Sequence, residues 1–184
     1  MSPWVRTTWS LALIGTLTWC TGAAASSEPT TPAGERYLLM GDSNIYGMFG
    51  RRLASRLVKC GHGATRIAKP SSGLSRPQFY DWRERARELI ARYQPNRILV
   101  MFGGNDALRI NFKEPIKERI EFEEGPRWDE AYKRRVREFA DIARADGREL
   151  IFLSPTNRRP MNARKNVFRI RDLQREALRG LDRV

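Results

Sequence analysis

Four times along the chain a short strand-like segment is followed by an amphipathic stretch, and this alternation constrains the fold more than any other feature. Residues 36–40 are an apolar run that ends at Gly41 and reads as a buried strand. Residues 44–58 carry Ile45, Phe49, Leu53 and Leu57 at four-residue spacing, which predicts a helix closed by Gly61 and Gly63. Residues 65–68 read as a short second strand, and 70–77 as a loop rich in Ser, Gly and Pro. A second helix is expected over 79–93, with Trp82, Leu89, Ile90 and Tyr93 on its apolar side, broken at Gln94-Pro95-Asn96. The clearest strand is 97–102, stopped by Gly103-Gly104. The charged segment 107–127, with Pro115 and Pro126, reads as an insertion over one rim. A third helix over 128–145 turns at Asp146-Gly147 into a fourth strand, 149–153. A fourth helix from about residue 163 shows Val167, Ile170, Leu173, Ala177, Leu178 and Leu181 on one face.

Strand alternating with helix predicts an α/β fold, a parallel sheet with helices on both faces. Ligands of such sheets bind beyond the carboxyl ends of the strands. No internal repeat stands out, and 184 residues suit one domain.

The N-terminus reads as a secretion signal over residues 1–25. Arg6 supplies a positive charge, residues 9–19 an apolar core too short to span a bilayer, and Ala23-Ala24-Ala25 a small-residue cleavage site before Ser26. Residues 26–35 form a flexible leader, leaving a domain over 36–184. The expected location is secreted or periplasmic, with no membrane span after cleavage. A lipoprotein anchored at Cys20 is the weaker alternative, because Trp19 precedes that cysteine where a small residue is needed. Cleavage leaves Cys60 as the one cysteine, expected as a small half-buried residue near a helix end.

Net charge is +13 and the pI about 10.6. The basic residues are spread along the chain and interleaved with acidic ones, as in Arg83-Glu84-Arg85. That pattern argues for a solvated basic surface and against a nucleic-acid site, while still favouring acidic polymers through unspecific attraction. One histidine and one mature cysteine argue against zinc, and no phosphate-binding glycine motif is present, so neither metal nor cofactor is expected.

Three segments carry chemistry. Gly41-Asp42-Ser43-Asn44 puts a serine at the start of a helix, where free N–H groups stabilise developing negative charge. Ser43 can equally be a helix cap there, and so can Asp42. Ser72-Gly73-Leu74 offers a glycine whose N–H can closely approach a reacting oxygen. Gly103-Gly104-Asn105-Asp106 ends the best strand with an amide that can donate to an oxyanion, or simply make a turn; Asp106 can orient Asn105 or cap the region that follows. Each segment alone is weak. In this order, each beyond a strand, they describe a serine esterase with an oxyanion hole.

With these blocks the chain resembles the SGNH hydrolases, the GDSL-like esterase and lipase family. The run from Ser72 to Trp82 resembles a bacterial envelope subgroup. The resemblance covers about residues 36–180 and implies a flavodoxin-like three-layer fold. It implies Ser43 as nucleophile, and the N–H groups of Ser43 and Gly73 with the Asn105 amide as oxyanion hole. It further implies an acyl-ester substrate, with O-acetylated envelope glycan the expected class.

One block departs from the pattern. The family's Asp-x-x-His follows a fifth strand near the C-terminus, and residues 1–184 stop before such a strand would begin. The expectation is an in-frame domain cut near its end and less stable for it. His62, the one histidine, falls between the first helix and the second strand, a position expected at the opposite edge of the sheet from Ser43. Two other readings therefore stay open: an inactive remnant or glycan-binding module that keeps the pocket, and a basic polyanion binder.

Overall fold

The structure, a computed structural model, describes residues 34–112, 118–156 and 161–184. The expected signal peptide, Cys20 and most of the leader lie outside the described residues. Four parallel strands form the main sheet: β1 (Arg36–Gly41), β2 (Gly63–Ala68), β3 (Arg97–Met101) and β6 (Glu149–Leu153), in the order β2-β1-β3-β6. Two short strands, β4 (Ile110–Phe112) and β5 (Glu118–Ile120), pair antiparallel apart from it. The helices are α1 (Ser43–Tyr46), α2 (Met48–Lys59), α3 (Trp82–Tyr93), α4 (Pro126–Arg144) and α5 (Met161–Leu178).

The layers follow from the two-residue period of the strands. Leu38, Met40, Ile98, Val100, Phe102 and Leu150 face one side, packed with Trp82 and Leu89 of α3, Phe139 and Val136 of α4, and Ile170 of α5. Leu39, Leu99 and Met101 face the other, packed with Ile45, Leu53 and Leu57 of α1 and α2. The predicted α/β fold with helices on both faces is thus present. Trp82, Trp128, Phe102 and Phe139 are fully buried on the larger side, each stabilising the fold by about 2 kcal/mol or more. On the edge of β6 away from β3, the Leu150 N–H donates to the Arg183 carbonyl at 2.9 Å.

The structure corrects several boundaries. The first predicted helix is two helices, because Gly47 takes an extended conformation (φ −73°, ψ −161°) and starts α2 afresh. That break removes Phe49 from the expected apolar stripe and leaves it 48% exposed. The second helix starts at Trp82 instead of residue 79, since Asp81 caps it by accepting from the Arg83 and Glu84 N–H groups. The charged rim segment holds the β4–β5 pair, and it buries Ile110 and Ile120. Cys60 is exposed, not half-buried, because it terminates α2 at the surface. Among the described residues no helix is long and apolar enough to cross a membrane.

Gly50 gives a test of how tightly α1 and α2 meet. An added Cβ would lie 1.9 Å from the Ile45 carbonyl oxygen. Gly-to-Ala inside a helix ordinarily stabilises by about 0.5–1 kcal/mol. Here Gly50→Ala is expected to destabilise by about 2 kcal/mol or more, read as a fall in the denaturation midpoint.

Candidate functional site

The strand order reverses direction at β1 and β3: the chain moves outward from β1 to β2 on one side and from β3 to β6 on the other. The crevice beyond the carboxyl ends of such a pair is where open α/β sheets bind ligands. Ser43 follows β1 and Asn105 follows β3, so both fall at this crevice. The link is direct, for the Asp42 N–H donates to the Met101 carbonyl at 3.3 Å.

Asp42, and not Ser43, caps α1. Its buried carboxylate accepts from the Asn44 backbone N–H and from the Asn44 side-chain amide, both at 2.8 Å. Ser43 is thereby left as the first helical residue, exposed and with its hydroxyl not used for capping. Asn105 donates from Nδ2 to the Ser72 carbonyl at 3.1 Å and to Asp42 Oδ2 at 3.5 Å. These bonds join all three sequence blocks. Asn44 in turn accepts from the Thr156 hydroxyl at 3.2 Å, tying the loop after β6 to the start of α1.

Gly73 sits in the loop between β2 and α3, which is anchored at both ends. Ser72 Oγ donates to the Lys69 carbonyl at 2.6 Å and accepts from the Trp82 indole at 2.8 Å. Beneath the loop lies the carboxylate of Asp106, wholly buried, accepting from the Ser75 N–H at 3.0 Å and the Tyr132 hydroxyl at 2.8 Å. Tyr132 accepts from Gln174 Nε2 at 3.0 Å, and the same nitrogen reaches the Phe102 carbonyl at 3.2 Å. A Cβ on Gly73 would stand 2.0 Å from Asp106 Oδ1, so only glycine brings the backbone this close. Among the described residues the backbone N–H groups of Ser43 and Gly73 have no acceptor.

Burial raises the Asp106 pKa above the ordinary carboxyl value; the Ser75 and Tyr132 donors oppose this, and the nearby Asp42 adds to it. Burial and the Asp106 charge together hold the Tyr132 phenol well above its usual value. Tyr132 and Gln174 are site supports that periodicity missed. Both read as parts of helices, and nothing in a helical stripe marks which hydroxyl or amide meets a buried carboxylate.

His62 does not join the site. It lies just before β2, at the amino ends of the strands, where its Nδ1 accepts from the Glu35 N–H at 3.2 Å and its ring meets Tyr37 edge-on. The length of β1 separates it from Ser43, roughly 20 Å of extended chain.

Two substitutions test the support. Asp106→Ala leaves the Ser75 N–H and Tyr132 O–H without their acceptor and is expected to cost about 2–4 kcal/mol in chemical denaturation. Asp106→Asn isolates the titration. A raised folded-state pKa means that the folded chain holds the proton more tightly than the unfolded one. The stability of the native chain relative to this variant therefore falls as pH rises from the ordinary value of 3.8 through the folded-state pKa. Paired denaturation curves from pH 4 to 8 measure that difference.

No curated protein matches the chain. Solved structures do match in fold. An α/β hydrolase enzyme, LAE5, from the metagenome of Lake Arreo superposes with a TM-score of 0.55 at 15% identity, over 79% of this chain and 73% of that one. The psychrotrophic esterase EstA from Pseudoalteromonas sp. gives 0.55 at 12% identity, over 81% and 74%. The acetyl xylan esterase Axe2 from Geobacillus stearothermophilus gives 0.52 at 15% identity, over 79% and 72%. At these identities the likeness shows a shared α/β fold, which agrees with the SGNH resemblance. A family model described as a protein of unknown function, DUF459, matches residues 36–184, and the chain belongs to that family.

Proposed function

We propose that the chain is a serine-type hydrolase of acyl esters. The observation that carries this reading is the convergence of Ser43, Gly73 and Asn105 beyond the ends of β1, β2 and β3, with Asn105 bonded to both other blocks. Ser43 Oγ attacks the acyl carbonyl carbon and loses its proton to a base. The carbonyl electron pair moves to oxygen, and the resulting oxyanion accepts from the Ser43 and Gly73 N–H groups and from the Asn105 amide, which gives up its long 3.5 Å bond to Asp42 to do so. Collapse expels the alcohol, which takes the proton held by the base; water then gives a proton to the base and attacks the acyl carbon, and the acid leaves as Ser43 Oγ regains its proton. The base is a group other than His62, which lies at the far end of the strands.

The basic charge of +13 favours an acidic polymer, the N-terminal segment has the pattern of a secretion signal, and one fold neighbour is an acetyl xylan esterase. We therefore read the substrate as an O-acetylated glycan of the cell envelope, met in the periplasm or outside the cell.

Hydrolysis of a small acetyl ester tests the reaction. Ser43→Ala is expected to abolish the enzymatic rate, and Asn105→Ala to lower it by about 10²–10³-fold. His62→Ala is expected to leave it unchanged within about twofold, since a histidine outside the site supplies no proton transfer. Equal turnover in the native chain and Ser43→Ala would sink the reading. Saturable binding of acetylated glycan without turnover would favour a binding module that keeps the pocket.

A further inference from the structure

Away from Ser43, a cleft of about 590 Å³ opens between the loop before α3, the first turn of α3, the end of β4 and the middle of α4. At its wall stands Arg135, only 3% exposed. Its guanidinium lies 4.7 Å from the Phe112 ring centre and donates once, from Nη2 to the Asn111 carbonyl at 3.1 Å. Nε and Nη1 are buried and, among the described residues, have no hydrogen-bond partner. An arginine has five N–H donors, so most of this one's capacity is unspent.

The carboxylates of the cleft do not answer it. Asp81 and Glu138 are both engaged by Arg83, Asp81 at 3.0 Å, and Asp81 also caps α3. Glu84 is exposed at the cleft's edge. A second cation, Arg134, lies 5.2 Å from the same Phe112 ring. Among the described residues no acidic group forms an ion pair with Arg135. Burial and the neighbouring Arg83 push its pKa down to about 10, against the partial relief from Glu138 and Asp81. Buried cations are normally paired, because removing charge from water without a partner is costly.

We propose that this cleft is a binding site for a small oxyanion, a carboxylate or phosphate group, held by Arg135 with Arg134 at the mouth. The Phe112 ring and the Asn111 carbonyl hold the guanidinium in place, which leaves the remaining donors for an acceptor that the described residues do not supply. A carboxylate or phosphate offers acceptor oxygens of the right charge for such donors. The site is separate from the ester chemistry around Ser43.

Thermal unfolding with inorganic phosphate or malonate, each against chloride at equal ionic strength, is the test. A saturable rise in midpoint of at least about 3 °C at high ligand excess is expected for one or both anions. The arms separate phosphate from carboxylate preference. Arg135→Met keeps the side-chain volume, is expected to fold, and should abolish the rise. Arg135→Lys keeps the charge with fewer donors and should weaken binding at least about tenfold. Titration calorimetry and the arginine Nε–H resonances of the native chain give a readout that needs no variant: saturable heat with a shift confined to one arginine supports the site. No rise above chloride, no saturable heat, or an equal rise in Arg135→Met would overturn it. The last result would mark Arg135 as a packing cation on Phe112 alone.

Discussion

A carboxylate with no access to water sits beneath the loop that carries Gly73, and the arrangement around Ser43 depends on how that carboxylate is satisfied. Left unpaired, Asp106 would be costly, and in this position it would push the chain to neutralise it. The chain instead brings a backbone N–H from the Gly73 loop and a phenol from α4 to its two oxygens. Those two bonds belong to different layers. One fixes where the loop lies above the sheet, and the other fixes how α4 lies against it. Gln174 extends the same thread to α5 and back to the Phe102 carbonyl at the end of β3. A single buried charge thus sets the register of three helical and loop elements against the strand that delivers Asn105.

The geometry of the site is then a product of division of labour between neighbours in sequence. Asp42 takes the capping role, so Ser43 can stand exposed at the first helical position with its hydroxyl not used for the cap. Asp106 takes the structural role beneath the loop, so its neighbour Asn105 can lie in the crevice and bond to Ser72 and Asp42. In each pair the acidic residue is wholly buried and the chemistry-bearing residue is more exposed. The parallel sheet does the remainder, since its strands all end on the same side and its order reverses between β1 and β3.

Much of this is legible in the sequence. The apolar runs at 36–40, 97–102 and 149–153 became β1, β3 and β6, because buried parallel strands are largely apolar and show as continuous runs, whereas the edge strand β2 keeps Thr65 and Arg66 and shows only as a short candidate. The three blocks were legible because glycines and small polar residues interrupt those runs where the strands end. The break at Gly47 was not, since a four-residue spacing continues through it and only the extended glycine reveals that the helix restarts. The β4–β5 pair was hidden by the charges around Ile110 and Ile120. Tyr132 and Arg135 lie beyond periodicity for one shared reason. Both have long apolar bodies with polar tips, so a position on a buried face says nothing of what the tip meets.

Asp106 and Arg135 make a controlled comparison inside one molecule. Both are charged groups taken out of water on the same side of the sheet, and α4 serves both, supplying Tyr132 to one and carrying the other. The carboxylate receives a backbone donor and a phenol, and it shapes the loop over it. The guanidinium receives one carbonyl and an aromatic face, and retains donors that none of the described residues accepts. Had Arg135 served packing alone, an apolar side chain of similar volume would fill the place without the cost of a buried cation, as replacements of buried ion pairs show. The first polar device is complete within the protein and therefore structural. The second finds no such acceptor among the described residues and stays open to one that enters the cleft, so Asp106 supports the fold while Arg135 is free to bind.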